Sequence, residues 1–273
     1  MEGKSGNCNM TEMTFPYATL PLYDLPETKT QTDSLWNGLA DSFRKEGIND
    51  VPNSLFRGEW IYQKELLFGQ ICGYPLTHEY AGRFTVIATP LYRTPYFNGP
   101  EYLSVIVVHQ QCKWQKLEDA RGSKVVINAK SSHSGFNILR SMVTPLTNET
   151  PFFSEVSVSG GHRESISYIA QKQADLASID GLTWSLLEKY APDTLKDCRI
   201  LTLSPPAPSP AFVTEKETST ESLELFRNAL KNGFEEPEFK LLGEELFLED
   251  IQILSENAYD CIMDMERESI EDL

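Results

Sequence analysis

The sequence lacks any long apolar run, and this absence argues against a membrane-spanning helix. No segment of the 273 residues approaches the roughly 18 consecutive apolar residues that such a helix needs, and the longest runs, such as Leu103 to Val108, have the length of a strand. The first residues, MEGKSGNCNMTEMTF, carry one lysine and no apolar core, so they do not form a secretory signal. The N-terminus therefore predicts a cytoplasmic protein, and a periplasmic or extracellular one only if a leader is missing.

Cysteine is scarce, and the motifs of metal and nucleotide chemistry are missing. The five cysteines are odd in number, widely spaced and without a CxxC pair, which predicts free thiols instead of a disulfide framework or a zinc site. There is no GxSxG, HExxH, Walker loop or GxGxxG. The sequence therefore predicts no metal, no cofactor and no catalytic residue. Cys72 is interpreted as a buried, inert thiol in preference to a nucleophile.

Basic residues are few, and the formal net charge is −16. From Glu215 to Leu273 the chain has 18 acidic and 5 basic residues, a net charge of −13. No basic patch is available to neutralise a phosphate backbone, so the sequence predicts no nucleic-acid partner. The acidic end is interpreted as a solvated face that aids solubility, with an acidic docking surface as the alternative.

What the sequence does contain is an alternation of β-branched runs with amphipathic stretches. Strands spaced by single helices indicate βαβ crossovers and parallel sheets flanked by helices. A proline-rich segment, Ser204–Phe212, is predicted to be a connector or an edge, because proline cannot donate to a sheet ladder. Strands are predicted at Tyr17–Tyr23, Leu66–Cys72, Phe84–Thr89, Tyr102–His109, Lys124–Asn128, Glu155–Ser159, Leu176–Asp180 and Arg199–Leu203, and helices at Thr32–Glu46, Ser134–Val143, His162–Lys172, Leu182–Tyr190, Ser219–Lys231, Phe239–Phe247 and from near Ser255.

The residues that follow the predicted strands outline a candidate anion site. Ligands of open α/β sheets collect beyond the carboxyl ends of the strands. The segment SSHSGFN, residues 131–137, opens a helix whose start exposes backbone N–H groups and carries about half a positive charge. An ordinary helix cap with spare serines is the alternative. The candidate ligand-binding residues are Tyr23, Gln70, Gly73, Tyr74, Thr89, Tyr92, Ser132, His133, Ser134, Gly135, Asn137, His162, Ser165 and Asp180.

Asp180 and the histidines leave more than one chemistry open. Asp180, at a strand end, could cap the next helix or receive a cationic group of the ligand, so the site suits a zwitterion such as an amino-phosphonate. His133 and His162 could be acid–base groups, with Ser134 as a nucleophile. The sequence alone assembles no nucleophile, base and orienting group, so binding is favoured over catalysis.

Several segments together resemble the phosphate/phosphite/phosphonate-binding proteins of ABC transporters, the phosphonate-binding branch of the type 2 periplasmic binding proteins. The resembling segments are ATLPLYDLPE at 18–27, GQICGYPL at 69–76, SSHSGFNILR at 131–140, SGGHRESISYIAQKQADLASIDGLTW at 159–184 and PPAP at 205–208.

The resemblance implies a two-lobed α/β fold, each lobe a mainly parallel sheet flanked by helices, with two crossover segments between the lobes. Lobe 1 would combine residues 15–102 and 205–273, and lobe 2 would be residues 103–204. Residues 1–14 would be a disordered extension.

The resemblance also implies a function. A small phosphonate- or phosphate-like anion would lie between the lobes, held by the helix start at 132–135, with Asp180 as the acidic position and Tyr23, Gln70, Tyr74 and Tyr92 as the wall. The lobes would close without chemistry, and an ABC transporter permease would be a partner if the protein is exported. Because fold kinship does not fix function, an enzyme of the thiamine-pyrimidine or menaquinone synthesis type, or a cytoplasmic ligand sensor, is the alternative.

Overall fold

A computed structural model describes residues 16–58, 65–147, 151–255 and 257–273. The extension predicted at residues 1–14 lies outside these residues. The strands are β1 (Tyr17–Thr19), β2 (Leu66–Ile71), β3 (Phe84–Tyr92), β4 (Phe97–Asn98), β5 (Glu101–Tyr102), β6 (Ser104–His109), β7 (Lys124–Ile127), β8 (Glu155–Val158), β9 (Leu176–Asp180), β10 (Cys198–Leu203), β11 (Ala207–Pro208), β12 (Ala211–Glu215) and β13 (Leu248–Gln252). The helices are α1 (Lys29–Lys45), α2 (Gly73–Thr77), α3 (Ile138–Val143), α4 (His162–Ala170), α5 (Gly181–Tyr190), α6 (Thr220–Glu235), α7 (Pro237–Glu245) and α8 (Asp260–Arg267). No helix within the described ranges is long and apolar enough to cross a membrane.

The first sheet has the strand order β1-β2-β12-β3-β13 and is covered by α1, α6 and α7. Helix α1 buries Leu35, Trp36, Leu39 and Phe43, a helical spacing that turns one apolar face to the sheet. The Phe43 ring lies 5.0 Å from the ring of Phe68 in β2. Burial of each large side chain in this core stabilises the fold by about 1.5–3 kcal/mol.

The second sheet has the order β10-β6-β9-β7-β8 and carries helices on both faces. Ile106 and Val108 of β6 belong to the cluster that includes α3, whereas Val105 and Val107 belong to the cluster that includes α4. The alternation follows from the two-residue period of a strand. A sheet buried on both faces explains why β6 is apolar almost throughout.

Two helix-flanked sheets confirm the predicted two-lobed α/β architecture, but the sheets are mixed instead of mainly parallel. In the first sheet β12 is antiparallel to β2 and β3, and in the second sheet β6 is antiparallel to β9 and β10. Strands β6 and β12 are the first long strands after each crossover. The chain returns from a crossover at the end of the sheet where the neighbouring strands finish. The next strand therefore runs antiparallel to those neighbours.

The two crossover segments lie side by side in a small third sheet. Strand β5 pairs with β11 on one side and with β4 on the other. The proline-rich segment predicted as a connector or an edge contributes β11, which is an edge strand of this sheet. Pro208 is tolerated there because an edge position does not require its missing N–H.

The C-terminal end links the two sheets a third time. Glu266 of α8 accepts hydrogen bonds from the Tyr74 hydroxyl on the first-lobe side and, at 3.1 Å, from Arg140 Nη2 in α3. Leu273, the last residue, is buried in the second-lobe cluster that contains Leu139. Residues 266–273, which the resemblance placed in lobe 1, therefore contact lobe 2.

Candidate functional site

Asp180 stands at the junction of the two lobes. It ends β9, and its Oδ1 accepts hydrogen bonds from the backbone N–H groups of Leu182 (2.8 Å) and Thr183 (3.0 Å), so it caps α5. Its Oδ2 accepts a hydrogen bond from the Tyr23 hydroxyl of the first lobe at 3.2 Å. Burial, with 4% of the residue exposed, raises the pKa of Asp180 to about 6, while the hydrogen bonds from Thr183, Leu182 and Tyr23 act to lower it. The carboxyl group is thus a helix cap and also a bridge between the lobes.

The helix start that was predicted as an anion site directs N–H groups at the first lobe. A π-helical turn, His133–Asn137, runs directly into α3, and the Ser132 hydroxyl caps it by accepting a hydrogen bond from the Gly135 N–H at 3.0 Å. The N–H groups of His133 and Ser134 face the sulfur of Cys72. No other acceptor in the described part of the chain takes up these two N–H groups. Since a thiol is a weak acceptor, they remain available to an anion.

Gly135 allows the helix start to approach its neighbours closely. A Cβ atom at this position would lie 1.8 Å from Asn128 Oδ1 and 3.2 Å from His162 Cε1. With the Asn128 side chain in this position, the helix start can pass the end of β7 so closely because residue 135 has no side chain. This approach brings the Ser134 hydroxyl to 2.8 Å from His162 Nε2.

His133 and His162 are neutral at pH 7. Burial lowers the pKa of His133 to about 3 and the pKa of His162 to about 4. His133 is 1% exposed, and its Nδ1 lies 3.2 Å from the side-chain amide of Asn137. Its Nε2 has no hydrogen-bond partner among the residues that the structure describes. A buried polar atom without a partner is costly, so His133 Nε2 is a candidate contact for a ligand group.

Tyrosines and Gln70 form the wall opposite the helix start. Gln70 Nε2 donates hydrogen bonds to the Tyr92 hydroxyl at 2.8 Å and to the Pro210 carbonyl at 3.3 Å. The Tyr23 ring packs edge-on against Tyr92, with ring centroids 5.7 Å apart. Burial raises the pKa of both tyrosines, so their hydroxyls stay neutral and can donate.

The residues of both lobes that meet between the sheets are named here the cleft cluster. They share polar side chains, most lie near strand ends or helix starts, and none is a lysine or an arginine. The cleft cluster consists of Tyr23, Gln70, Cys72, Thr89, Tyr92, Tyr102, Ser132, His133, Ser134, His162, Asp180 and Tyr259.

Contacts at the rim hold the lobes against each other. Arg163 Nη2 in α4 lies 2.6 Å from Glu27 Oε1 in the first lobe. Leu182 and Leu186 of α5 pack into the core cluster of the first lobe. The lobes are therefore in contact around the cleft cluster, which is the arrangement expected for a closed hinge protein.

Four of the predicted site residues are engaged with other protein groups. They position the helix starts and the C-terminal helix, and two of them support members of the cleft cluster, because the Asn137 amide contacts His133 and Gly73 packs against Tyr259. The partners are Glu266 for the Tyr74 hydroxyl, the Ile262 carbonyl for the Asn137 side chain, the Ser159 hydroxyl for Ser165, and the Ile262 side chain packed on Gly73.

Sequence reasoning missed three members of the cleft cluster. Cys72 was interpreted as an inert thiol, Tyr102 as an ordinary strand residue, and Tyr259 was not singled out. The Tyr102 hydroxyl contacts Ser134, and the Tyr259 hydroxyl lies 2.9 Å from Thr89 Oγ1. One signal was present for Cys72, because it follows a predicted strand in the same way as the residues that were chosen.

Two helix-flanked sheets with polar residues gathered between them define a two-lobed solute-binding protein. A family model described as "ABC transporter, phosphonate, periplasmic substrate-binding protein" matches residues 66–253. The chain belongs to this family, as its resemblance predicted. The family is described as periplasmic, which does not support the cytoplasmic location predicted from the N-terminus.

Individual relatives agree with this membership. The phosphonates-binding periplasmic protein of Escherichia coli (strain K12) is 25% identical over 152 residues, which are 54% of this chain but only 45% of that relative. PhnD1 from Prochlorococcus marinus (MIT 9301), solved in complex with methylphosphonate, has a TM-score of 0.75 at 13% identity and covers 92% of this chain and 97% of its own. A binding protein component of an ABC phosphonate transporter from Pseudomonas aeruginosa has a TM-score of 0.74 at 15% identity, with 92% and 85% covered. At these identities the two structures show the shared fold alone.

Proposed function

We propose that the chain binds a small oxyanion of the phosphonate or phosphate type between its lobes and performs no chemistry on it. The observation that carries this proposal is the helix start at His133 and Ser134, whose N–H groups meet only the thiol of Cys72 among the described residues. Backbone N–H groups at a helix start bind an oxyanion without a lysine or arginine. Closure of the lobes excludes water and strengthens these hydrogen bonds.

The charge of the cleft cluster selects the ligand further. Neutral donors from hydroxyls and amides suit an anion, while Asp180 is the one carboxyl group of the cluster. A purely anionic ligand is compatible with a protonated Asp180, whereas a ligand that also carries an ammonium group favours its charged form. The ligand class is therefore alkyl phosphonates or phosphate, extended to aminoalkyl phosphonates when Asp180 is ionised.

A catalytic role of Ser134 is disfavoured by the state of its neighbour. The hydroxyl and His162 Nε2 are 2.8 Å apart, which is the distance of a nucleophile–base pair. However, burial lowers the pKa of His162 to about 4, and its ring faces the backbone of Ser178 instead of a carboxylate. Such a histidine is a weak base near pH 7, so we interpret Ser134 as a hydrogen-bonding group for the ligand and not as a nucleophile.

Membership of a transporter family extends the proposal to delivery. The lobes would close on the anion and present it to an ABC permease, in a periplasmic or extracellular setting. The methylphosphonate bound to the Prochlorococcus protein makes methylphosphonate the first ligand to test.

Isothermal titration calorimetry with methylphosphonate, phosphate, phosphite and methanesulfonate tests the proposal. We expect saturable binding of at least one phosphorus oxyanion, and the Ser134→Ala variant should bind it more weakly by about 1–3 kcal/mol, the loss of a hydrogen bond to a charged group. Ser185→Ala is the matched control, because this buried serine donates to the Gly181 carbonyl within α5.

Two outcomes would contradict the proposal. Equal affinity of the wild type and Ser134→Ala would show that the anion binds elsewhere. Conversion of the bound phosphonate to a new species, followed by phosphorus NMR during incubation with the protein, would show that the chain is an enzyme.

A further inference from the structure

Cys72 lies where the first lobe meets the helix start of the second lobe. It follows β2 directly and precedes α2. Its sulfur faces the N–H group of Tyr74 in its own lobe and those of His133 and Ser134 across the cleft. The thiol therefore stands against the same N–H groups that the proposed anion needs.

The Cys72 thiol lies among buried polar groups of both lobes. Its neighbours Tyr23, Tyr102 and Asp180 are at most 6% exposed. Burial agrees with the sequence interpretation of a buried thiol, but the neighbours place this thiol within the cleft cluster and not in an apolar core.

A second observation points to a ligand at the same place. The His133 ring is held by Asn137 at Nδ1, and its opposite nitrogen, Nε2, is buried without a partner among the described residues. The ring packs edge-on against Tyr102, with centroids 6.3 Å apart. A ligand atom bound beside Cys72 would meet the need of this nitrogen and of the two N–H groups together.

We infer that Cys72 is a direct ligand contact, whose S–H group donates to an oxygen of the anion held by the N–H groups of His133 and Ser134. The inference rests on the proposed function of the cleft. Burial raises the pKa of the Cys72 thiol, so it is protonated at pH 7 and can donate instead of repelling the anion. A group added to this sulfur would occupy the space of the ligand.

Ligand protection of the wild-type protein is the first arm of the test. N-ethylmaleimide is applied with and without saturating methylphosphonate or phosphate, and the modification of each cysteine is followed by peptide mass spectrometry. We expect ligand to slow the reaction of Cys72 at least severalfold. Cys112 is the internal control, because it lies beyond the end of β6 that is remote from Asp180 and packs in the second-lobe cluster.

Substitution is the second arm. Cys72→Ala should weaken binding of the same anion by about 3- to 10-fold, the loss of one modest hydrogen bond. Cys72→Ser restores a donor of similar shape and should restore the wild-type affinity. Cys112→Ser should leave the affinity unchanged.

The outcomes separate this inference from the proposed function. If the wild type binds methylphosphonate or phosphate, but Cys72→Ala has the same affinity, the contact is absent, whether or not ligand protects the thiol. If Cys72→Ala does not fold, absence of ligand protection in the wild type overturns the contact. If the wild type binds none of the tested anions, the proposed function fails and this inference fails with it.

Discussion

The Tyr23 hydroxyl donates a hydrogen bond to Asp180 Oδ2 across the cleft, at 3.2 Å. This bond joins a loop of the first lobe to the end of β9 in the second lobe. With the N–H groups of Leu182 and Thr183, Asp180 accepts three hydrogen bonds, which act to lower its pKa. Burial has the larger effect and raises the pKa of this carboxyl to about 6. The charge of the cleft therefore changes within the range of pH in which binding is measured.

The first prediction concerns ligands that carry an ammonium group. As pH rises from 5 to 7.5, Asp180 ionises, so the affinity for aminoethylphosphonate relative to methylphosphonate should rise by about tenfold. Titration calorimetry of both ligands at each pH measures the ratio. Asp180→Asn is the isosteric control, and the pH dependence of its ratio gives the part that comes from the ligands' own phosphonate groups, which titrate differently because one ligand carries an ammonium group. A wild-type ratio with the same pH dependence as that of Asp180→Asn would show that the ammonium group lies away from Asp180.

The second prediction concerns the buried histidine His162. Its pKa of about 4 in the folded chain is below the ordinary 6.5, so the unfolded chain binds the extra proton first. The stability that this neutral histidine contributes is fully present above pH 6.5 and is lost as pH falls toward 4, by about 3 kcal/mol in total. His162→Gln should lack this component. Urea unfolding of the two proteins between pH 7.5 and 4 measures it, and parallel curves would contradict the prediction.

Local signals explain why part of the site was predicted from the sequence. Ser132 and Asp180 both precede helices, and each caps its helix through its own side chain as such residues commonly do. Because ligands of open α/β sheets collect beyond the carboxyl ends of the strands, the helix starts at Ser132 and Asp180 were both predicted to border one cleft. The alternative of an ordinary helix cap was also correct for Asp180. This residue caps α5 through Oδ1 and contacts the first lobe through Oδ2.

Long-range packing explains why the rest was not predicted. Tyr102 and Tyr259 enter the cleft cluster because the crossovers and the C-terminal segment fold back between the lobes, and neither residue has a local motif. Strand β13, LEDIQ, was missed because its pattern is acidic and short, and it pairs with β3 from far along the chain. The contact of the chain end with the second lobe depends on Leu273, whose sequence neighbours are polar.

The third prediction concerns Glu266, which joins the lobes through Tyr74 and Arg140. Burial alone would raise its pKa, but hydrogen bonds from Tyr74, Arg140 and His78 outweigh burial and lower the pKa to about 2. Glu266→Gln should destabilise the chain by about 2–4 kcal/mol near neutral pH, because the guanidinium of Arg140 is buried and loses its charged partner.

The pH dependence of this loss identifies its cause. The pKa of Glu266 is about 2 in the folded chain and about 4.5 in the unfolded chain. The ionised carboxylate therefore stabilises the folded chain above pH 4.5, and this contribution disappears as pH falls toward 2. The difference in unfolding free energy between the wild type and Glu266→Gln should therefore shrink over that window. Glu268→Gln is the control. Glu268 lies at the C-terminal end of α8, and its side chain takes no part in these hydrogen bonds. A difference that stays constant in acid would mean that the carboxylate is not the source of the stability.

The last prediction concerns the close approach at Gly135. A Cβ atom there would lie 1.8 Å from Asn128 Oδ1, so Gly135→Ala must displace either Asn128 or the helix start. We expect this variant to lose most of its affinity for methylphosphonate, because the N–H groups of His133 and Ser134 move with the helix start. Removing the obstacle with Asn128→Ala in the same chain should recover part of the affinity, and Asn128→Ala alone serves as the reference. Calorimetry of the three variants gives the coupling directly, since two changes that do not interact have additive effects. Additive losses would show that the glycine is not required for the position of the anion site.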